Sequence, residues 1–199
     1  MDIYIPETLK NLLPEEVLKQ SQTLHFEKGR HLFHQGQKPE FMFYIVSGEA
    51  ILSRTSSHGE PTILQRCKGG FLSEASLLTD AYHCDAVATH SGHAITIPIQ
   101  ALREALTDGN FSLKWVRLLS REIMRLRTQS ERLGLKDIRS KLIHLIETEG
   151  NQGVLILQSD LKSLASEIGV THEALYRAIS AMEKEGALRK QDNTLELVR

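Results

Sequence analysis

The chain has 199 residues, 41% hydrophobic and 25% charged, which bounds it to one large or two modest core-forming domains. No apolar run approaches the ~18 residues of a membrane span, the N-terminus MDIYIPETLK lacks a basic-then-apolar secretory signal, and the net charge of −1 does not announce a polyanion binder. Two cysteines, Cys67 and Cys84, make neither a disulfide framework nor a metal-type spacing, so a cytoplasmic setting with reduced thiols is expected and no metal ligands are assigned.

Residues 6–22, PETLKNLLPEEVLKQSQ, predict one or two short helices, with Pro14, Glu15 and Glu16 suited to a first turn. From Leu24 the texture changes to short β-prone runs punctuated at Lys28-Gly29, Gln35-Gly36, Ser47-Gly48, His58-Gly59 and Gly69-Gly70. Met42 to Val46 is the most strand-like run, and Ala86–Thr89 and His93–Pro98 extend the β-region. This pattern predicts an antiparallel barrel or sandwich. Ser73 to Leu78 is expected as a short helix inserted into it.

A helix is predicted from near Pro98, interrupted at Asp108-Gly109-Asn110 and restarted at Phe111. Along the second part, Val116, Leu119, Ile123, Leu126 and Leu133 step by three, four, three and seven, with Ser130 at the one polar position. That is a heptad-like seam of the kind that pairs two helices. Residues 113–134 would span about 33 Å. They carry six basic and two acidic residues, net +4, against −4 for residues 1–112 and −1 for residues 135–199.

After Gly134 a helix is predicted from Lys136 to about Thr148, with Ile138, Leu142, Leu145 and Ile146 inward. A loop, a short strand over Val154–Leu157, and a cap at Ser159 or Asp160 lead into LKSLASEIGVTHEALYRAISAMEK. Leu161, Leu164, Ala165 and Ile168 form one helix face, Gly169 can take the left-handed conformation that ends it, and Thr171 can cap the next helix. Leu175, Ile179 and Met182 are predicted inward, leaving His172, Glu173, Tyr176 and Arg177 on or near the outer face.

Helix, glycine turn and helix is the helix-turn-helix layout, whose second helix enters the major groove. Arg177 can donate two bonds to guanine O6 and N7, and Glu173, one turn before it, can accept from a cytosine amino group. The competing reading is a surface Glu–Arg pair on an ordinary helical hairpin. Gly186 closes the second helix, and Ala187–Lys190, the turn Gln191-Asp192-Asn193, and Thr194–Val198 predict a β-hairpin wing. Arg189 and Lys190 on it can meet phosphate.

The run from Phe26 to Thr96 resembles the cyclic-nucleotide-binding fold of the cyclic-AMP receptor protein/FNR family of regulators. The matching elements are Lys28-Gly29, Leu32-Phe33-x-x-Gly36, Phe43-x-x-x-Ser47-Gly48 and Gly69-Gly70-Phe71-Leu72-Ser73-Glu74. Leu164-Ala165-x-x-Ile168-Gly169-Val170-Thr171-x-Glu173-x-x-x-Arg177 extends the resemblance over nearly the whole chain. It implies an α+β protein: an N-terminal antiparallel β-roll or barrel (cupin-like) at 1–108, a dimerisation helix at 109–134, and a C-terminal winged helix-turn-helix at 135–199. It also implies a homodimer that binds double-stranded DNA and works with RNA polymerase, not an enzyme and not bound to membrane. The dimer interface would then be Val116, Leu119, Ile123, Leu126, Ser130 and Leu133, and the DNA contacts Thr171, His172, Glu173, Tyr176, Arg177, Arg189 and Lys190.

The resemblance further implies an effector pocket, with Phe71, Leu72, Ser73, Glu74, Cys84, Asp85 and Thr128 as candidates. Here the sequence departs from the family. Glu74 matches the ribose-binding Gly-Glu pair, but Ser73 replaces its glycine. Cys84 stands where members that bind cyclic nucleotide carry the phosphate-binding arginine, and Asp85 beside it repels an anion. Cyclic AMP in the usual manner is therefore not expected. Haem remains an alternative through a His or Cys ligand, although neighbours on one strand, His83 and Cys84, face opposite ways. An FNR-type iron–sulfur cluster is excluded because no cysteine precedes Cys67. Thiol sensing at Cys67 or Cys84 would need exposure and a lowered pKa. The leading expectation is a degenerate pocket, with activity set by abundance, an unidentified small molecule or a partner.

Overall fold

The computed structural model describes residues 5–55, 61–157 and 160–198, and of residues 61 and 62 only the backbone. The turn expected at His58-Gly59 and the cap expected at Ser159 lie outside the described residues. The chain divides into two compact units, Met1–Arg117 and Leu118–Arg199, and the division falls inside the segment expected as a separate helix at 109–134.

In the first unit, α1 (Glu7–Leu12) and α2 (Glu15–Gln20) each follow a proline that occupies the N-cap. Glu7, Glu15 and Glu16 sit in the first turns and Lys10 and Lys19 in the last, which suits both ends of the helix dipoles. Leu9 and Val17 are the buried residues of these helices.

Six strands follow: β1 (Gln22–Phe26), β2 (His31–Phe33), β3 (Phe41–Thr55), β4 (Pro61–Cys67), β5 (Gly70–Leu72) and β6 (Asp85–Pro98). They form one antiparallel sheet in the order β1-β6-β3-β4, with β2 also on β6 and β5 also on β3. The sequence suggested shorter pieces. The Ser47-Gly48 pair, expected as a turn, lies inside the 15-residue β3, and the two runs 86–89 and 93–98 are one strand of 14 residues.

Backbone crowding explains why glycine interrupts these strands without ending them. Register shifts between Ile45 and Ala50 mark an irregular stretch where β3 crosses β6. Gly48 there has φ +81°, and a Cβ on Gly92 opposite would lie 2.1 Å from the Ser47 carbonyl oxygen. The two glycines allow a close approach that side chains forbid.

Phe33, Phe43, Ile45, Leu72, Tyr82 and Cys84 contribute to the buried cluster of this unit. Phe33 stacks on Tyr82 with ring centroids 3.8 Å apart. The helix expected at Ser73–Leu78 is a single 3₁₀ turn, Glu74–Ser76. Ser73 before it is buried in a left-handed conformation at φ 73°. That conformation explains physically why a glycine would suit the position.

Helix α3 (Ile99–Ala105) is followed by α4 (Gly109–Gly134), which starts two residues before the expected restart at Phe111. The Asp108 carboxylate accepts from the Asn110 N–H at 3.0 Å and fixes that start. Phe111 and Trp115 are buried, and Phe71 meets Trp115 edge-on at 5.4 Å.

In the second unit, α5 (Ile138–Glu149) is capped by Asp137, and β7 (Val154–Ile156) is one residue shorter than expected. Helix α6 (Leu161–Glu167) is capped by Asp160, which accepts from the Ser163 N–H at 2.8 Å. Then come α7 (His172–Lys184), β8 (Leu188–Gln191) and β9 (Thr194–Leu197). The three strands pair antiparallel in the order β7-β9-β8. Leu142, Leu145, Ile146, Leu164, Leu175 and Ile179 sit in the core between helices and sheet. Among the described residues no helix is long and apolar enough to cross a membrane.

Candidate functional site

The α6–α7 junction is built by local chemistry in which each step can be named. Gly169 takes φ +70°, and the Val170 N–H reaches back to the Ala165 carbonyl at 2.9 Å. These features satisfy the end of α6 as a Schellman-type stop does. Two residues on, the Thr171 hydroxyl accepts from the Ala174 N–H at 3.2 Å and starts α7. Leu175, Ile179 and Met182 are 0–2% exposed, so the helix buries the expected face.

The opposite, N-terminal face of α7 is open. Thr171, His172, Glu173, Tyr176 and Arg177 are all exposed, Tyr176 at 58%. The His172 and Tyr176 rings stand 6.5 Å apart. Among the described residues, Glu173 and Arg177 form no ion pair with each other, and neither meets another protein partner. Their charges are available to a ligand instead of being spent on the surface pair that was the competing reading.

The hairpin residues differ from each other. Arg189 is exposed but paired with Glu196 across the strands at 3.0 Å. An exposed pair of this kind contributes only about 0–1 kcal/mol, little enough for a phosphate to displace Glu196. Lys190 is half-buried, and its N–H donates to the Glu183 carboxylate at 3.2 Å, joining the hairpin to the end of α7.

One residue that holds this geometry was missed by sequence reasoning. Lys141 on α5 is buried, and its ammonium group donates to the Ile168 carbonyl at 3.1 Å, at the C-terminal end of α6. A cation there satisfies a free carbonyl and suits the negative end of the helix dipole. Lys141 lies 27 residues from Ile168, and no local pattern advertises the contact.

On α4 the predicted seam lies bare. Val116, Ile123, Leu126 and Leu133 are 45–57% exposed, Leu119 is half-buried, and Ser130 is exposed. Leu133 also packs beside the α6–α7 turn, its Cδ2 3.0 Å from where a Cβ on Gly169 would stand.

The candidate effector residues do not gather into one polar chamber. Leu72 and Cys84 belong to the hydrophobic core, and burial pushes the Cys84 thiol up, which opposes the exposed, low-pKa thiol that sensing requires. Cys67 is buried as well, its thiol directed at the Gly70 and Phe71 carbonyls. Asp85 faces the other way, accepts from the Gln35 N–H at 3.1 Å, and lies 3.3 Å from the His34 ring. His83 is exposed while Cys84 is buried, so the two present no shared ligand face. Phe71 and Glu74 are half-buried, and the buried Ser73 hydroxyl has no hydrogen-bond partner among the described residues. Thr128 is half-buried on α4, in the second unit.

A buried carboxylate outside these predictions organises the sheet. Glu49 is 5% exposed, yet Arg66, Lys68 and His90 lie 3.2, 3.6 and 3.7 Å from it and the Thr89 hydroxyl donates to it. Burial raises its pKa most strongly, but the Thr89 bond and the cations of Lys68, Arg66 and His90 together hold it below its ordinary value of 4.5.

Comparison with known proteins agrees with this architecture. Residues 23–108 match the family model "Cyclic nucleotide-binding domain". A cyclic AMP receptor protein of Thermus thermophilus is 26% identical over 197 residues, covering 94% of this chain and 89% of the relative. A global nitrogen regulator of a Nostoc species is 26% identical over 168 residues, covering 78% and 71%. In three dimensions the chain is similar to FixK2 of Bradyrhizobium japonicum, with TM-score 0.63 and 16% identity over 90% of this chain and 93% of that one. Residues 23–108 are thus a cyclic nucleotide-binding-type domain, in a chain whose relatives are transcription regulators of the cyclic-AMP receptor protein/FNR family.

Proposed function

We propose that the chain is a homodimeric, sequence-specific DNA-binding transcription regulator of the cytoplasm. The observation that carries this reading is the open N-terminal face of α7, where Glu173 and Arg177 stand one turn apart, exposed and with no partner among the described residues. In this reading α6 and α7 form a winged helix-turn-helix. Helix α7 enters the major groove, Arg177 reads guanine and Glu173 reads cytosine. Thr171, His172 and Tyr176 flank them, and the β8–β9 wing brings Arg189 and Lys190 to phosphate, which positions without specifying.

The bare seam of α4 supports the dimer. Half-exposed Val116, Ile123, Leu126 and Leu133 at heptad spacing are what a second copy would cover. Two-fold pairing would set the recognition helices on successive major-groove faces about 34 Å apart. RNA polymerase is the protein partner implied by the family.

In this reading the first unit, of the cyclic nucleotide-binding type, is where an effector would act. With Cys84 in the core at the position of the phosphate-binding arginine, and Asp85 held by Gln35 and His34, cyclic AMP is not bound in the usual way. Activity is set by protein abundance, an unidentified small molecule or a partner.

Selection from a random duplex library by the purified chain, with no ligand added, tests the proposal. The expected result is a two-fold symmetric site with half-sites about one helical turn apart. Failure to enrich any sequence, repeated with metabolite extract and with haem, would overturn it.

A further inference from the structure

His31 and His34 stand out because they are exposed and lie beside Asp85, a pairing that the DNA-binding reading does not use. His31 opens β2, His34 follows its end, and Asp85 opens β6, the strand on which β2 pairs. The two imidazoles stack with centroids 4.2 Å apart and planes 22° from parallel. One ligand atom from each of His31, His34 and Asp85 lies within 4.8 Å of the others. From this geometry we infer a surface site for a divalent transition-metal ion of the zinc class, held by His31, His34 and Asp85 with a fourth position open to water.

The donor set suits that ion. Two imidazoles and one carboxylate with an open position form a common three-ligand zinc set, whereas magnesium and calcium prefer shells of oxygen. Bond lengths of about 2.0–2.2 Å at a tetrahedral ion put neighbouring ligand atoms roughly 3.3–3.5 Å apart. The His34–Asp85 edge already has this length, at 3.3 Å. The remaining separations, no more than 4.8 Å, must close by at most about 1.5 Å, which rotation of an exposed His31 ring can supply.

The surroundings hold the Asp85 carboxylate and the backbone that carries His34. The Gln35 N–H donates to Asp85 Oδ1, and the Gln37 side chain accepts from the His34 backbone N–H at 2.9 Å. Beneath them the turn is anchored to the body of the sheet, because the Gly36 N–H donates to the Tyr82 carbonyl and the Tyr82 N–H to the Gln37 carbonyl. Such outer contacts orient ligands and reduce the ordering that binding requires. A bound ion would tie the turn after β2 to the start of β6.

Zinc titrated into chelator-treated full-length protein, in competition with a chromophoric chelator, tests the site. The expected result is one zinc per chain, weakened at least tenfold by H34A, by D85N and by H31A, with an increase in Tm that each variant loses. Magnesium should give neither effect, and H25A, at an exposed histidine of β1, should change nothing. In the unaltered chain, NMR should show zinc moving the imidazole signals of His31 and His34 ahead of the other histidines, a readout independent of any variant's folding. Unchanged affinity and stoichiometry in the H31A/H34A chain, or a zinc response spread evenly over the histidines, would mean an adventitious ion only and would overturn the assignment.

Discussion

Arg177 can be tested alone because no side chain among the described residues pairs with it. Arg177→Ala should weaken specific DNA binding by about 1–3 kcal/mol and relax preference at one base pair per half-site, as read by binding to a panel of operator variants. An undiminished preference at every position would remove the base-contact role. Glu49 supports a prediction of a different kind. Its carboxyl is held below 4.5 in the folded state, so its contribution is present above the unfolded value and is lost as pH falls through the folded one. Glu49→Gln should therefore destabilise the protein by roughly 1–3 kcal/mol at pH 7, where Arg66 and Lys68 lose their counter-charge. The difference should shrink as denaturant melts are repeated below about pH 4.5, because the protonated carboxyl then resembles the amide. A constant difference across that range would dissociate the effect from charge.

Helix α4 is the element whose outer face most clearly asks for a partner. Ile123→Glu places a charge in the middle of the seam and should yield monomers by sedimentation. A variant that stayed dimeric would exclude this face as the interface. The seam was legible in the sequence because heptad spacing is a local, repeating signal, and the α6–α7 turn because Gly169 and Thr171 mark the stop and start through their own backbone chemistry. Strand lengths in the sheet were not legible. Ser47-Gly48 looks like a turn in one dimension, and only the approach of Gly92 from β6 shows it to be a bulge within a continuous strand. Lys141, Glu49 and the His31–His34–Asp85 group share this cause. Each draws its role from residues well separated in sequence, and pattern reading along the chain carries no term for that.

At the scale of the whole molecule, the chain has two units with separate cores, and the proposed function assigns DNA reading to the second. A chain ending at Gly134 should keep its dimeric state by sedimentation while losing all specific DNA binding in a mobility-shift assay. Retention of DNA binding without residues 135–199 would move the reading surface elsewhere. DNA affinity should also fall steeply with added salt, because a chain of net charge −1 relies on locally placed cations against phosphate. The bare α4 seam has a genetic consequence as well. As the interface of the proposed dimer, its apolar residues would select a partner without regard to the condition of that partner's α7. A copy carrying Arg177→Ala would then pair freely with an intact one, and the mixed dimer would hold a palindromic site by one half only. Such an allele would be dominant over the wild type, and adding Ile123→Glu to the same copy would make it recessive.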